Sequence, residues 1–429
     1  MPDSVVHGTL PSGAIEEIAA TEDGRLRVDA DFSGASTDSF GRLRISDPFT
    51  LFDSSHRFSD NGLWNTLTAV GGNAAFNAGQ GLVDLSVNAT SGSQVIRETK
   101  KVFAYQPGKS LMIMSTFVFA PAKAGLRQRV GYFGAENGIY LEQSGTSVSF
   151  VLRSKVSGVV VDSPVQQSSW NGIDTLNGIG KSGKTLDLSK AQIFWCDLEW
   201  LGVGSVRCGF VIDGQFIECH SFHHANVISS TYTTTACLPL RYEITNTSAT
   251  SGSSVLKQIC STVISEGGYE LRGQQFTAGT GIAAAYSMPV AGTYYPLVAL
   301  RLGSSALDAI AVPTQGSITA TGNGLIYKWQ IMTEAAVSGG SWVSPSAESA
   351  VEYNITGTAV SGGNIVASGY LTSSNQSSPI ASIVKEALFA LQLERNSFTS
   401  TPSTIVLALS CNTNTTTAYA SIDWEEITR

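Results

Sequence analysis

Residues Gly178-Ile179-Gly180-Lys181-Ser182-Gly183-Lys184-Thr185 match the phosphate-binding pattern G-x-x-x-x-G-K-[ST] at every position. In a nucleotide site, backbone N–H groups of such a loop wrap the phosphates and the Thr185 hydroxyl holds magnesium. That chemistry needs an apolar strand before the loop and a long helix after it, whose N-terminus faces the phosphates. Here Ser168 to Asp174 is polar and turn-like, and only Leu186-Asp187-Leu188-Ser189-Lys190 stands between Thr185 and the strand-like run around Ile193 to Asp197. A parallel crossover takes a dozen or more residues. The pattern therefore reads as a Gly-rich loop entering a strand, and no cofactor is expected. Asp197 and Glu199 lie two apart on one strand and share a face. They have the residue types of a glycosidase acid–base pair, but solvent-facing charge on an antiparallel strand explains them as well, and no catalytic residue is assigned. His220, His223 and His224 follow a hairpin beside Cys219, a donor set that transition metals use. Glu218 points to the opposite face from Cys219, and histidines hydrogen-bonded at a strand end are the simpler reading, so no metal is assigned.

The elements that must position these groups read as strands throughout. Hydrophobic residues make up 42% and charged residues 14% of the 429 residues, against a usual charged share of about 25%. Gly, Ser, Thr and Asn fill the difference, as in turns and sheet surfaces. The clearest unit runs from Gln192 to Phe222: a strand from Ile193 to Trp200, a second from Val206 to Ile212, a type I′ turn at Asp213-Gly214, and a return from Gln215. Further strands are expected at Leu111 to Phe119, Ser147 to Arg153, Tyr295 to Leu302, Gly324 to Met332, Val351 to Ile355, Thr404 to Cys411 and Ala418 to Trp424. Ile380 to Leu393 admits either a short helix or, from the alternation of Phe389, Leu391 and Leu393, a strand at its end. The fold class is all-β. Residues 1–48 form an extended arm, 49–271 a large sandwich and 272–429 a smaller one. The six cysteines contain no C-x-x-C pair and read as reduced, buried small hydrophobes.

The arm carries an internal echo: Gly24-Arg25-Leu26-Arg27-Val28 and Gly41-Arg42-Leu43-Arg44-Ile45. Alternation gives each copy one basic and one apolar face. Leu26, Val28, Leu43 and Ile45 need a cover, while Arg25, Arg27, Arg42 and Arg44 need carboxylates; the cover is either the chain's own body or a partner. Trp64, Trp170 and Trp342 stand in polar, Gly/Ser-rich surroundings, where an indole would stack on a sugar or anchor an interface. Net charge is −8 and no dense basic run exists, which excludes nucleic acid as a main partner. The apolar run from Leu111 to Pro121 is too short for a membrane span. The start MPDSVVHGTLPSG has neither the cationic nor the apolar part of a secretory signal, so synthesis in the cytosol is expected.

Phe40-Gly41-Arg42-Leu43-Arg44 leading into Asp47-Pro48-Phe49-Thr50-Leu51-Phe52-Asp53 resembles the start of virion structural proteins of tailed bacteriophages. Gly131 to Gly138, Asp197 to Gly202, Val211 to Gly214 and Ile259 to Gly268 fit the same resemblance, which spans roughly residues 38 to 270. It implies a concanavalin-like or jelly-roll sandwich in a tail, neck or fibre, released with the virion by lysis, and it brings no catalytic residues. The expectation is a structural virion component, docked through its arm and assembled as a symmetric oligomer, a homotrimer, with other virion proteins. A carbohydrate-binding protein that recognises a host surface glycan is the first alternative. A glycan-cleaving enzyme using Asp197 and Glu199 is the second, and it requires both carboxylates to line an open cleft.

Overall fold

The computed structural model describes residues 7–9, 15–17, 37–39, 41–45, 47–267, 273–373 and 391–428. Arg25, Leu26, Arg27 and Val28 lie outside the described residues, as does the stretch 374–390. In the arm, β1 (His7–Thr9) pairs with β2 (Ile15–Glu17). The large body contains β3 (Pro48–Ser55), β4 (Trp64–Ala69), β5 (Asn73–Asn77), β6 (Leu82–Val87), β7 (Gln94–Thr99), β8 (Leu111–Val118), β9 (Leu126–Phe133), β10 (Gly138–Ser144), β11 (Ser147–Ser154), β12 (Val161–Gln166), β13 (Gln192–Leu198), β14 (Val206–Ile212), β15 (Gln215–Phe222), β16 (Leu240–Asn246) and β17 (Ser254–Glu266).

These strands form two antiparallel sheets. One has the order β12-β11-β10-β9-β16-β7-β4, the other β15-β14-β13-β8-β17-β6-β5, with β3 added against β17. The late strands β16 and β17 insert between early ones, which gives the crossed connections of a jelly roll. Alternation decides which side chains meet. Val130, Tyr132, Ile139, Leu141, Phe150 and Tyr242 face Ile113, Phe117, Phe194, Cys196, Phe210 and Leu256 in one apolar core. The Asp213-Gly214 turn has φ of 52° and 75°, the two positive values that a type I′ hairpin requires. Five of the cysteines are buried, but Cys260 is exposed, because the irregularity between Gln258 and Cys260 in the β17–β8 pairing shifts it out of the alternation.

The chain changes body between Glu266 and Gln274. The smaller sandwich contains β18 (Gln274–Gly279), β19 (Tyr286–Met288), β20 (Tyr295–Leu302), β21 (Ile310–Ala320), β22 (Ile326–Thr333), β23 (Ala336–Ser338), β24 (Val351–Asn354), β25 (Ala359–Ser361), β26 (Asn364–Thr372), β27 (Thr404–Cys411) and β28 (Thr416–Thr428). A five-stranded sheet, β24-β20-β27-β22-β26, packs on a sheet in which β28 pairs with β18, β19 and β21. Tyr327, Ile331, Leu407, Leu409 and Trp424 fill the space between them. Of the segment Ile380 to Leu393 only Leu391 to Leu393 are described; they are irregular, and Leu393 reaches the core with its N–H on the Ala311 carbonyl at 2.9 Å. The two bodies meet through an apolar joint of Ala104 and Cys237 against Ile310, Val312 and Ile427. An ion pair from Lys101 to Glu394 at 2.9 Å flanks it.

Candidate functional site

The residues that looked most capable of chemistry come together under the root of the arm. Phe194, Cys196 and Leu198 of β13 point into the core, so Asp197 points outward, opposite Arg207 of β14 in register. Arg207 Nε lies 3.0 Å from Asp197 Oδ1 and its Nη2 lies 2.6 Å from Oδ2. Glu199 follows just past the strand end, and Glu266 closes β17 nearby. Onto this acidic patch fold residues 37–39 and 41–45, which a bridge between Thr37 and Leu43 closes into a small turn. Gly41 takes φ +76° at its tip, a conformation that a side chain would strain.

The turn presents its basic face to the acids. Arg44 pairs with Asp197 and, at 2.5 Å, with Glu266. Arg42 pairs with Glu199 and, at 2.6 Å, with Asp38 of the turn itself. The Thr37 carbonyl accepts from Arg207 at 2.5 Å and from Arg44 at 3.1 Å. Asp197 and Glu199 are both 0% exposed. A carboxylate removed from water needs a cation and hydrogen bonds around it, and the arm supplies two of the cations. The open cleft that a glycosidase reading requires is therefore missing at this pair. The other face of the turn is not covered by the body: Leu43 is 48% exposed and Ile45 90%.

The Gly-rich loop has its anion already. Asn177 bridges to Thr185, which closes the segment as a tight hairpin. The buried Asp174 carboxylate sits inside it and accepts the N–H of Leu176 at 2.8 Å and of Ser182 at 2.7 Å. A Cβ at Gly180 would lie 2.1 Å from that carboxylate. Burial pushes the Asp174 pKa up, but the Ser182 and Leu176 hydrogen bonds outweigh it and hold the group below its usual range. The loop's amides are taken up within the protein: Ser182 donates to Asp174, Ile179 to Asn177 Oδ1, Gly178 to the Lys184 carbonyl and Gly183 to the Gly180 carbonyl.

The three histidines diverge. His220 is buried, nearly parallel to Phe150 and edge-on to Phe222. Burial, with His223 nearby, lowers its pKa to about 4. His224 stacks on Tyr232 at 4.0 Å, its Nδ1 2.7 Å from the Gly204 carbonyl. His223 Nδ1 lies 3.1 Å from Ser205 Oγ. Among the described residues no three His, Cys, Asp or Glu side chains group as metal ligands.

Two of the three tryptophans expected as sugar platforms, Trp64 and Trp170, are buried instead. Trp64 is a core residue whose indole N–H donates to Ser54 Oγ at 2.9 Å. Trp170 stacks on Phe150 at 4.3 Å inside the sandwich and donates to the Val165 carbonyl at 3.0 Å. Their polar neighbours lie on the exposed side of β4 or in loops, while the ring, the largest apolar surface available, turns inward. Trp342 is half-buried, with the Arg301 guanidinium 4.2 Å above its ring.

A second charged surface was not anticipated. The outer face of the seven-stranded sheet carries a ladder across its strands. Glu98 meets Arg241 at 2.6 Å, Arg241 meets Glu243 at 2.7 Å, Arg127 meets Glu243 at 3.1 Å, and Arg129 meets Glu142 at 2.7 Å. Arg153 meets Asp162 at 2.7 Å. Burial raises the pKa of Glu98, with Arg241 opposing. Burial would raise Glu243 too, but Arg241, Arg129 and Arg127 together hold it below its usual value. The signal in sequence is the i, i+2 repetition in Arg127-Gln128-Arg129 and Arg241-Tyr242-Glu243, which places like positions on one face.

No family model and no curated protein matches this sequence. Solved structures match over about half of it. A Bacillus licheniformis β-glucanase is 14% identical over 49% of this chain and 96% of its own, with a TM-score of 0.33. The carbohydrate recognition domain of Emp47p is 11% identical over 54% and 98%, with a TM-score of 0.32. A legume lectin-like domain from Entamoeba histolytica is 9% identical over 50% and 96%, with a TM-score of 0.30. At these values the likeness transfers no activity and no residue role.

Proposed function

We propose that this chain is a non-catalytic structural component of a tailed-phage virion, docking through its N-terminal arm and assembling as a symmetric oligomer, a homotrimer, in the tail, neck or fibre. The observation that carries this reading is the clip at residues 37–45. Arg42 and Arg44 fix the root of the arm to the body by charge, and the same contact buries the carboxylate pair that an enzyme would need open. Leu43 and Ile45 are left facing outward, where a neighbouring virion protein would cover them. The clip also relocates the experiment. Removing residues 1–46 would strip Arg42 and Arg44 from buried acids and damage the body itself, whereas removing residues 1–36 leaves the clip in place. A chain starting at residue 37 is expected to fold, stay soluble and be missing from purified particles analysed by mass spectrometry. Its incorporation at the full-length level would refute docking through the arm.

A second reading, recognition of a host surface glycan, is favoured by a different observation: the cleft between the two bodies carries an indole beside a carboxylate–guanidinium pair and several hydroxyls.

A further inference from the structure

The two sandwiches do not meet along their whole facing edges. Above the apolar joint of Cys237 with Ile310 and Val312 they leave a cleft of about 480 Å³, within the size range of small-molecule sites. One wall belongs to the large body: Trp200 just beyond β13, Tyr105 edge-on to it at 6.2 Å, and the 234–237 segment. The opposite wall is the 304–309 turn that precedes β21, with Arg395 and Ser400 closing one side.

Three features make this a built site. First, the Trp200 ring is held in place: its indole N–H donates to Thr233 Oγ1 at 2.8 Å, and it is half-buried. A fixed indole offers contact area at little entropic cost. Second, Arg395 Nε donates to Asp308 Oδ1 at 2.9 Å. That bond uses one edge of each group, so the other carboxylate oxygen and the terminal guanidinium nitrogens are the charged hydrogen-bonding groups on offer. Asp308 is 35% exposed and Arg395 13%. Third, the remaining polar side chains of the lining are hydroxyls, chiefly those of Thr234, Thr235, Ser304, Ser305 and Ser400. At the floor the Cys237 thiol contacts the Asp308 carbonyl at 3.5 Å, linking the two walls across the joint.

We propose that this cleft binds a neutral saccharide unit, an inference that rests on the glycan-recognition reading and places it at a site that excludes Trp64, Trp170 and Trp342. A sugar ring has an apolar C–H face and a rim of vicinal hydroxyls. The face suits Trp200, and the rim suits a carboxylate and a guanidinium held side by side, which donate and accept together. A polyanion is disfavoured by Asp308 and by the net charge of −8.

The test is titration of the full-length protein with maltose, cellobiose and lactose, separately, by calorimetry and saturation-transfer NMR, beside a glycan array. At least one neutral glycan is expected to bind. Trp200→Ala and Asp308→Asn should each weaken it about tenfold or more, while Trp342→Ala leaves it unchanged and Trp200→Phe retains part of it. The Phe variant keeps the packing against Tyr105 and so separates loss of stacking from loss of fold. Glycan binding that survives both cleft substitutions would overturn the cleft and spare the glycan reading. No glycan binding by the unmodified protein would overturn both.

Discussion

The outer faces of the large sandwich solve the same problem differently. On the seven-stranded sheet, Glu98, Glu142, Asp162 and Glu243 are matched by Arg127, Arg129, Arg153 and Arg241, four acids against four arginines, all supplied by the sheet's own strands. On the eight-stranded sheet, Asp197 and Glu218 share one arginine of that sheet, Arg207, which pairs with neither Glu199 nor Glu266 in the ion pairs of the described residues. The compensating cations there, Arg42 and Arg44, come from outside the sandwich. One face is electrostatically complete when the strands have paired. The other is complete only when the arm is in place, so its stability reports on the arm. An exchange of the arm between copies or onto a partner would be felt in the fold.

The largest effects should fall on both faces. Removing one partner of a buried ion pair costs about 3–5 kcal/mol. Arg241→Ala removes the arginine of Glu98 and leaves Glu243 to Arg127 and Arg129, and Arg44→Ala leaves Asp197 with Arg207 alone, so urea unfolding should show a loss approaching that order for each. The rescues distinguish them. Asp197→Asn should recover part of the loss in Arg44→Ala and none of the loss in Arg241→Ala. Rescue of both by the same substitution would mean the two faces are not separate networks.

A smaller effect belongs to the core between the faces. The His220 pKa in the fold, about 4, lies below its ordinary 6.5. The unfolded chain therefore takes up this proton first. The stability linked to His220 is complete above pH 6.5 and is lost as pH falls from 6.5 toward 4. At about 1.36 kcal/mol per unit, the loss is at most about 3 kcal/mol. Glu243, held low by three arginines, contributes its loss only below the ordinary carboxylate range. His220→Phe should flatten the stability profile between pH 6.5 and 4 and leave the drop at lower pH. A profile unchanged by the substitution would exclude the imidazole as its source.

The smallest effect should be at Ile45. With 90% of its surface exposed, Ile45→Ser should change the stability of the isolated chain by less than about 0.5 kcal/mol. If it acts at all, it should act on incorporation into particles. A large loss of stability in the purified chain would mean that Ile45 is already covered in solution.

Much of this molecule was legible in its sequence, for local reasons. The hairpin from Ile193 to Phe222 declares itself through alternation and Asp213-Gly214. The alternation of Arg42, Leu43, Arg44 and Ile45 correctly separates a basic from an apolar face. What alternation cannot say is who receives each face: Arg44 meets Glu266 across 222 positions of sequence, and no local pattern encodes that. Trp64 and Trp170 were misplaced for the same reason. Their neighbours are polar because they form loops, while the rings obey the tertiary core. Trp200 packs against the large core at its edge, and the cleft beside it exists only once the second sandwich has packed. The Gly-rich loop is the clearest case, since the phosphate motif is complete in residue identity while its amides are bonded within the protein, that of Ser182 to the buried Asp174 carboxylate.

The dependence of the eight-stranded face on the arm is tested most directly by urea unfolding of two truncated chains, one beginning at Thr37 and one at Asp47. The first retains Arg42, Arg44 and the Thr37 carbonyl, and should unfold within about 0.5 kcal/mol of the full-length protein. The second leaves Asp197 and Glu199 buried without the arm's cations, and should lose about 3 kcal/mol or more. Equal stability of the two chains would contradict the account.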